Sequence, residues 1–280
     1  MLMAIVGDIL GSSIEFEHDK PSLAELSIPA LADVGRVTDD TVMTLATWKW
    51  WTDFRSGRAK VEEYVEYLRS YFHLTPGIGY GPKFFRFMRD GIIPDPPSCG
   101  NGAAMRISAL GVDLGMPLDE MMDLVERLTL QTHGHPEAVK GAQAVVYSAR
   151  RLSETRREHD DPDLRRRLKA EIEAMFGYNL DLDYDDLIED EFDATCQGSV
   201  PQAIWCVLSS SNLDDVFRKA LTIGGDSDTI ACMAGGMAQA CFGTDMHGIS
   251  PRHLATSKLA ELRAPEIESA FSHSLSRCDI

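Results

Sequence analysis

The sequence predicts an all-α protein folded as one domain. Apolar residues recur at helical spacing along almost the whole chain, alternating runs of β-branched residues are nearly absent, and helix start and stop residues bracket the apolar runs. The clearest case has Asp161 as cap, Pro162 in the first turn, Leu164, Leu168, Ile172 and Phe176 on one face, and Gly177 as terminator. This segment reads as an amphipathic, peripheral helix.

The same signals predict helices over residues 3–16, 41–51, 60–71, 82–90, 103–111, 118–131, 136–152, 162–176, 201–209, 213–223, 227–242, 251–262 and 265–274. Residues 3–16 carry Asp8, Ser12 and Glu15 at i, i+4, i+7, with Gly7 and Gly11 thinning the neighbouring stripe and isoleucines on the other faces. Prolines open the helices at 82, 136, 162, 201, 251 and 265, where a missing N–H costs nothing. The stretch 227–242, rich in Ala and Gly, reads as a tightly packed core helix. Two irregular segments stand out, "HLTPGIGYGPKF" with Tyr80 and the Pro-rich "IIPDPPSCGNG", and long loops in compact domains often carry function. Between 154 and 193, Arg156, Arg157, Arg165, Arg166 and Arg167 alternate with acids, the pattern of a solvated face. No repeat, linker or low-complexity segment divides the chain, so residues 1–280 are expected to form one domain.

Composition narrows the function. The chain has 280 residues, 44% of them hydrophobic, enough for a substantial core. With 27 basic against 44 acidic residues the net charge is -17, a poor match to nucleic acid. The longest apolar stretch, 230–242, is too short for a bilayer, and the N-terminal "MLMAIVGDILG" lacks the basic region of a signal peptide. Six scattered cysteines without a CxxC pair suit buried thiols in a reducing cytoplasm better than disulfides or zinc. A cytoplasmic monomer or weak dimer, with neither membrane nor bulk nucleic acid as partner, is the expectation.

The chemistry gathers in acids. In "RVTDDTVMTLATWKWW", Thr38 suffices as a cap, and Asp39 and Asp40 are favoured by the helix dipole. The arrangement repeats in "IGGDSDTIACMAGGMAQA", where Asp226, Ser227, Asp228 and Thr229 stand between a Gly-Gly turn and an apolar helix. Two independent caps would explain each alone. If the two helix mouths face one another, four carboxylates and the threonine oxygens converge, and a pair of hard divalent cations, Mg²⁺ or Mn²⁺, would relieve their repulsion. Asp8 and Glu15 then belong either to a wall of that site or to a surface stripe. Gly100, Asn101 and Gly102 form a turn whose N–H groups suit a phosphate, although most such turns are only turns. In "QTHGHPEAVKGAQA" the histidines are spaced i, i+2, poor for one metal; His133 suits ordering of the turn and His135 a ligand contact.

Together "GDILGSSIEFE", "TDDTVM", "GNGAAMR", "THGHPEA" and "GGDSDTIA", in that order between residues 7 and 231, resemble the signatures of the ADP-ribosylglycohydrolase family, which includes the dinitrogenase-reductase-activating glycohydrolases and the ADP-ribosyl-acceptor hydrolases. The resemblance implies orthogonally packed helices around a two-metal cleft. One cation would be held by Thr38, Asp39, Asp40 and Asp228, the other by Asp39 or Asp40 with Asp226, Asp228 and Thr229, while Ser227 points away. Gly100, Asn101, Gly102 and Met105 would line an ADP-ribose cleft, His135 would approach the diphosphate, and Asp8 and Tyr80 would add substrate contacts. Glu15 would be a mobile acid over the ribose; with Asp39, Asp40 and Asp228 it makes the expected catalytic set. The implied reaction is hydrolysis of the C1″ bond between ADP-ribose and a protein or small-molecule acceptor, foremost the guanidine of arginine, releasing ADP-ribose. Hydrolysis of O-linked conjugates, two-metal phosphohydrolysis and ADP-ribose binding without catalysis are the alternatives. Loops 74–82, 91–98 and 192–203 are expected to meet the acceptor.

Overall fold

The computed structural model describes residues 1–17, 21–156, 161–188 and 192–275; Arg157 and Cys278 lie outside the described residues. Within them the chain is all-α. Its helices are α1 (Leu2–Gly11), α2 (Ile28–Val34), α3 (Asp39–Arg55), α4 (Tyr64–Leu74), α5 (Pro82–Asp90), α6 (Gly102–Met105), α7 (Leu118–Leu130), α8 (Pro136–Glu154), α9 (Pro162–Phe176), α10 (Cys196–Leu208), α11 (Leu213–Thr222), α12 (Ser227–Phe242), α13 (Pro251–Glu261) and α14 (Pro265–Leu275). None of them is long and apolar enough to cross a membrane.

The centre is α1 laid against α12, with every residue of α1 buried. A Cβ on Gly7 would stand 2.1 Å from the Ala231 carbonyl oxygen, one on Gly11 2.4 Å from the Asp228 Cα, and one on Gly235 2.2 Å from the Met3 oxygen. The helices therefore touch backbone to backbone and run antiparallel. The C-terminal end of α1, with Asp8, meets the N-terminal end of α12, with Asp226 and Asp228. Gly224 and Gly225, both at positive φ (88° and 64°), make the turn that delivers the chain to α12. Helices α8, α10 and α11 cover the remaining flanks of α12, while α3 and α13 pack on α1.

Several elements differ from the sequence expectation for identifiable reasons. Helix α1 stops at Gly11 because Ser12 and Ser13 donate their hydroxyls to the carbonyls of Ile9 (2.9 Å) and Leu10 (2.7 Å). Glu15 thus lies in a turn beyond the helix rather than on its face. Helix α2 escapes a periodicity reading because it is short and buries only Ile28 and Ala32. Helix α10 begins before Pro201, which sits inside it: Cys196 N donates to the Cys99 oxygen (3.0 Å), Asn101 N donates to the Ala194 oxygen (3.0 Å), and Thr195 caps the helix through Gly198 N (3.1 Å). The stretch 103–111 is not one helix but α6 and a short 3₁₀ turn. Helix α9 has the expected Asp161 cap, Gly177 terminator and buried Leu164, Leu168, Ile172 and Phe176. Outward from it, Arg166 and Arg167 pair with Asp163 and Asp161.

The α1–α12 contact predicts a contrast between two glycines. Gly7→Ala forces a methyl into backbone and should lower stability by about 3 kcal/mol, the upper end of core overpacking. Gly77→Ala, with nothing within 4 Å of its Cβ, should leave the thermal midpoint nearly unchanged. Thermal melts of both variants check this.

Candidate active site

The N-termini of α3 and α12 open into one cleft of about 410 Å³. Glu15, Asp39, Asp40, Asp226, Asp228 and Thr229 form its acid end; the rest of the lining includes Tyr80, Phe84, Gly100, Asn101, Gly102, Met105 and His133, with Asn101 reaching back to Asp226 and Gly79 approaching Asp39. Thr229 Oγ1 donates to Asp40 Oδ2 across the two helix mouths (3.2 Å). One carboxylate oxygen each of Glu15, Asp226 and Asp228 lies within 4.8 Å of the others, and the same holds for Asp8, Asp40 and Asp228. The two helix openings do face one another.

Within this cluster the aspartates differ in what already binds them. Asp8, wholly buried, accepts from Thr38 N (3.0 Å), Thr38 Oγ1 (2.6 Å), Thr41 N (3.1 Å) and Thr41 Oγ1. Four donors saturate a carboxylate, so Asp8 anchors the first turn of α3 and does not reach a ligand, contrary to the substrate contact expected of it. Asp40 is the opposite case: its buried Oδ1 has no hydrogen-bond partner. Asp226 Oδ2 is held by Asn101 Nδ2 (2.7 Å), which also donates to Ser199 Oγ (3.1 Å). The Asn101 side chain therefore orients an acid, while its backbone is bonded to Ala194, Ala104 and Met105. Thr38 Oγ1 stands 3.5 Å from Asp40 Oδ2 behind the acid end, and Ser227 turns its hydroxyl to the Gly225 oxygen (3.4 Å).

Burial and mutual repulsion act on every acid of the group. Burial first, then the charge of Asp228, holds Asp39 and Asp40 well above the ordinary carboxylate range; for Asp228 itself the second cause is Asp226. Burial likewise lifts Asp226 to about 6 and, with Asp228 beside it, Glu15 to about 8. Without positive charge these groups keep protons that free carboxylates would lose. The donors are all hard oxygens, one buried oxygen has no protein partner, and no His or Cys takes part, so the set fits Mg²⁺ or Mn²⁺ and not zinc.

The rest of the lining carries no acid. His133, not His135, lines the cleft: His135 caps α8, its Nδ1 accepting from Glu137 N (3.1 Å). The sequence could not distinguish them, because the capping role depends on where α8 begins. Burial and the nearby Arg106 push His133 down to about 3, so it is neutral. Thr132 Oγ1 accepts from Arg106 Nη2 (2.7 Å) and lies 2.9 Å from His133 Nδ1. The Thr132 hydroxyl donates to the Thr129 oxygen (3.4 Å), and the His133 Nε2 lies beside Gly102, where a Cβ would be 3.2 Å away.

Arg106, to which the sequence reading assigns no role, is buried behind Phe84 (5.5 Å to the ring centre), and among the described residues no carboxylate pairs with it. Its signal was a lone cation inside the apolar stretch "AAMRISALG". Phe16, Lys83, Phe84 and Phe192 also border the cleft without having been singled out. A second hollow, about 470 Å³ between α3, α4 and α14, holds Asp53, already engaged by Lys49, Arg58 and Tyr67, and the exposed Glu266. The described cysteines are free thiols, all but Cys99 buried.

A family profile described as ADP-ribosylglycohydrolase matches residues 1–272. Among solved structures, one described as an "ADP-ribosylglycohydrolase-related protein complex" superposes with a TM-score of 0.62 at 20% identity, covering 94% of this chain and 96% of that one. At that identity the likeness establishes the fold. No curated protein sequence matches the chain. The family match runs through every segment that contributes an acid to the cleft, and the chain belongs to the ADP-ribosylglycohydrolase family, whose members release ADP-ribose from ADP-ribosylated substrates.

Proposed function

We propose that the cleft hydrolyses the C1″ glycosidic bond of an ADP-ribosylated acceptor, with the guanidine of arginine as the leading acceptor and two divalent cations, Mg²⁺ or Mn²⁺, at the acid end. The observation that carries the reading is the meeting of two helix mouths on an acid cluster whose Asp40 Oδ1 has no protein donor. Asp40, Asp226 and Asp228, with Thr38 and Thr229, are the residues to hold the cations, and Asp39 completes the set at the cleft surface. When bound, the cations supply Lewis acidity that orients the ribose hydroxyls and acidifies a water molecule.

The chain's own groups do the rest. Asp39, half-buried on the cleft floor, orients the water and takes its proton as the bond to C1″ forms. Departure of the acceptor builds positive charge on the ribose ring, which the surrounding carboxylates stabilise. Glu15, on the turn beyond α1, reaches the acceptor side and holds the guanidinium cation of the bound conjugate, which leaves with the bonding pair as neutral guanidine and takes up the proton released from the water. The Gly102 N–H and the neutral His133 ring beside it face the diphosphate, with Arg106 as buried counter-charge behind them; Gly100 N and Asn101 N are already taken by Ser98 Oγ and the Ala194 oxygen.

Two outcomes test this. Arginine-ADP-ribosylated peptide incubated with Mg²⁺ or Mn²⁺ should yield free ADP-ribose by mass spectrometry. EDTA or Asp228→Ala should lower the rate by a hundredfold or more, roughly the loss expected when a main electrostatic element is removed. AMP as product would instead make the site a phosphohydrolase, and release only from a serine-linked peptide would reassign the acceptor.

The second concerns stability. The cluster acids have folded pKa values raised above their unfolded ones, so their favourable contribution is complete below about pH 4 and is lost as pH rises through about 6 for Asp226 and about 8 for Glu15. Cations reverse that loss only where the acids are ionised. The rise in thermal midpoint on adding Mg²⁺ or Mn²⁺ to EDTA-treated protein should therefore be small at pH 5 and grow towards pH 8.5. An equal rise at both pH values would remove the cluster as the cation site.

A further inference from the structure

We propose that Phe16 and Phe192 form a two-ring bridge over the acid end of the cleft that grips the acceptor group of the substrate, a planar cation, and not the adenine. This rests on the reading of the acid end as the ribose site. The two rings come from distant parts of the chain, yet their centres are 5.7 Å apart and their planes tilted by 36°. Both border the cleft while remaining 69% and 52% exposed. Single exposed aromatics need no explanation; a pair meeting across the mouth of a cleft offers ring faces to whatever enters.

The backbone ties each ring to one wall of the acid end. Phe16 directly follows Glu15, whose carboxyl hydrogen-bonds with Asp228. Phe192 lies two positions before Ala194, whose carbonyl accepts from Asn101 N (3.0 Å), and Asn101 in turn holds Asp226. A ligand whose ribose sits among these acids presents its acceptor, not its base, to the two rings. The cleft has a separate aromatic surface, Tyr80 against Phe84 (5.9 Å) and Phe84 against His133 (6.2 Å), available to a purine without the two rings. Rings beside a carboxylate are the surroundings that bind a guanidinium, by its face to the rings and its edge to Glu15.

The experiment compares free ADP-ribose, an arginine-ADP-ribosylated peptide and a serine-ADP-ribosylated peptide. Affinities are read by competition against fluorescent ADP-ribose, with Ca²⁺ replacing Mg²⁺ to slow turnover. In the unaltered chain the arginine conjugate should bind more tightly than ADP-ribose. Phe16→Ala and Phe192→Ala should each weaken the arginine conjugate by about tenfold, within the range of an aromatic–cation contact. Free ADP-ribose and the serine conjugate should change less than twofold, Phe192→Trp should keep the preference, and melting curves should be unaltered. Equal weakening of free ADP-ribose would move the rings to the nucleotide, and unchanged binding of all three ligands would take them out of recognition; either overturns the inference. If the arginine conjugate follows the expected pattern but is not cleaved with Mg²⁺ or Mn²⁺, the hydrolase reading falls and the aromatic bridge stands.

Discussion

Backbone contact between α1 and α12 is the constraint from which the rest of the site follows. Without side chains at Gly7, Gly11 and Gly235 the two helices come together until carbonyls meet Cα atoms, a distance no residue with a Cβ allows. Because the pair is antiparallel, the closest approach delivers Asp226 and Asp228 to the level of Asp8. Asp8 then reaches across to Thr38 and Thr41 and fixes the first turn of α3. Apolar packing deep in the protein thus sets the spacing of its most polar cluster.

That spacing has an electrostatic cost, and the chain meets it unevenly. Asp8 and Asp40 are both buried aspartates of one cluster, but four donors compensate Asp8 while Asp40 Oδ1 has none. A buried acceptor left unpaired costs roughly 1–3 kcal/mol, more when charged. Natural proteins keep such an arrangement chiefly where function uses it. The difference separates an acid that builds the site from one left open to a ligand. Proximity alone would have grouped Asp8 with the ligands; its hydrogen bonds remove it.

How much of this the sequence carried depended on whether the information was local. The paired openings "TDDT" and "DSDT" were legible because capping and dipole effects act within one turn, and a second carboxylate exceeds what capping requires. Helices with strong periodicity and terminal signals, such as α5, α9 and α12, were legible to the residue. The rest depended on contacts between distant segments. The start of α10 is set by pairing with residues 99–101, and this overrides the usual meaning of Pro201 as a first-turn residue. The exchange of roles between His133 and His135 depends on the cap of α8 and on Arg106, far from either in sequence. Phe16 and Phe192 could not be paired from their own surroundings at all.

The whole-chain charge of -17 is a poor guide to what enters the cleft, because the field that matters there is local. Beside the gathered buried acids, the lining carries a neutral histidine, the Gly102 backbone and a guanidinium without a carboxylate partner among the described residues. A diphosphate placed at the acid end would meet like charge; placed against the rest of the lining it would meet the Gly102 N–H and the buried cation. A ribose diol has no charge to be repelled and suits the acid end once cations neutralise it. On the proposed reading, that contrast would orient a nucleoside-diphosphate-ribose before any base-specific contact is made. The C1″ carbon would then lie at the acids, beside the two exposed rings, where the acceptor would leave.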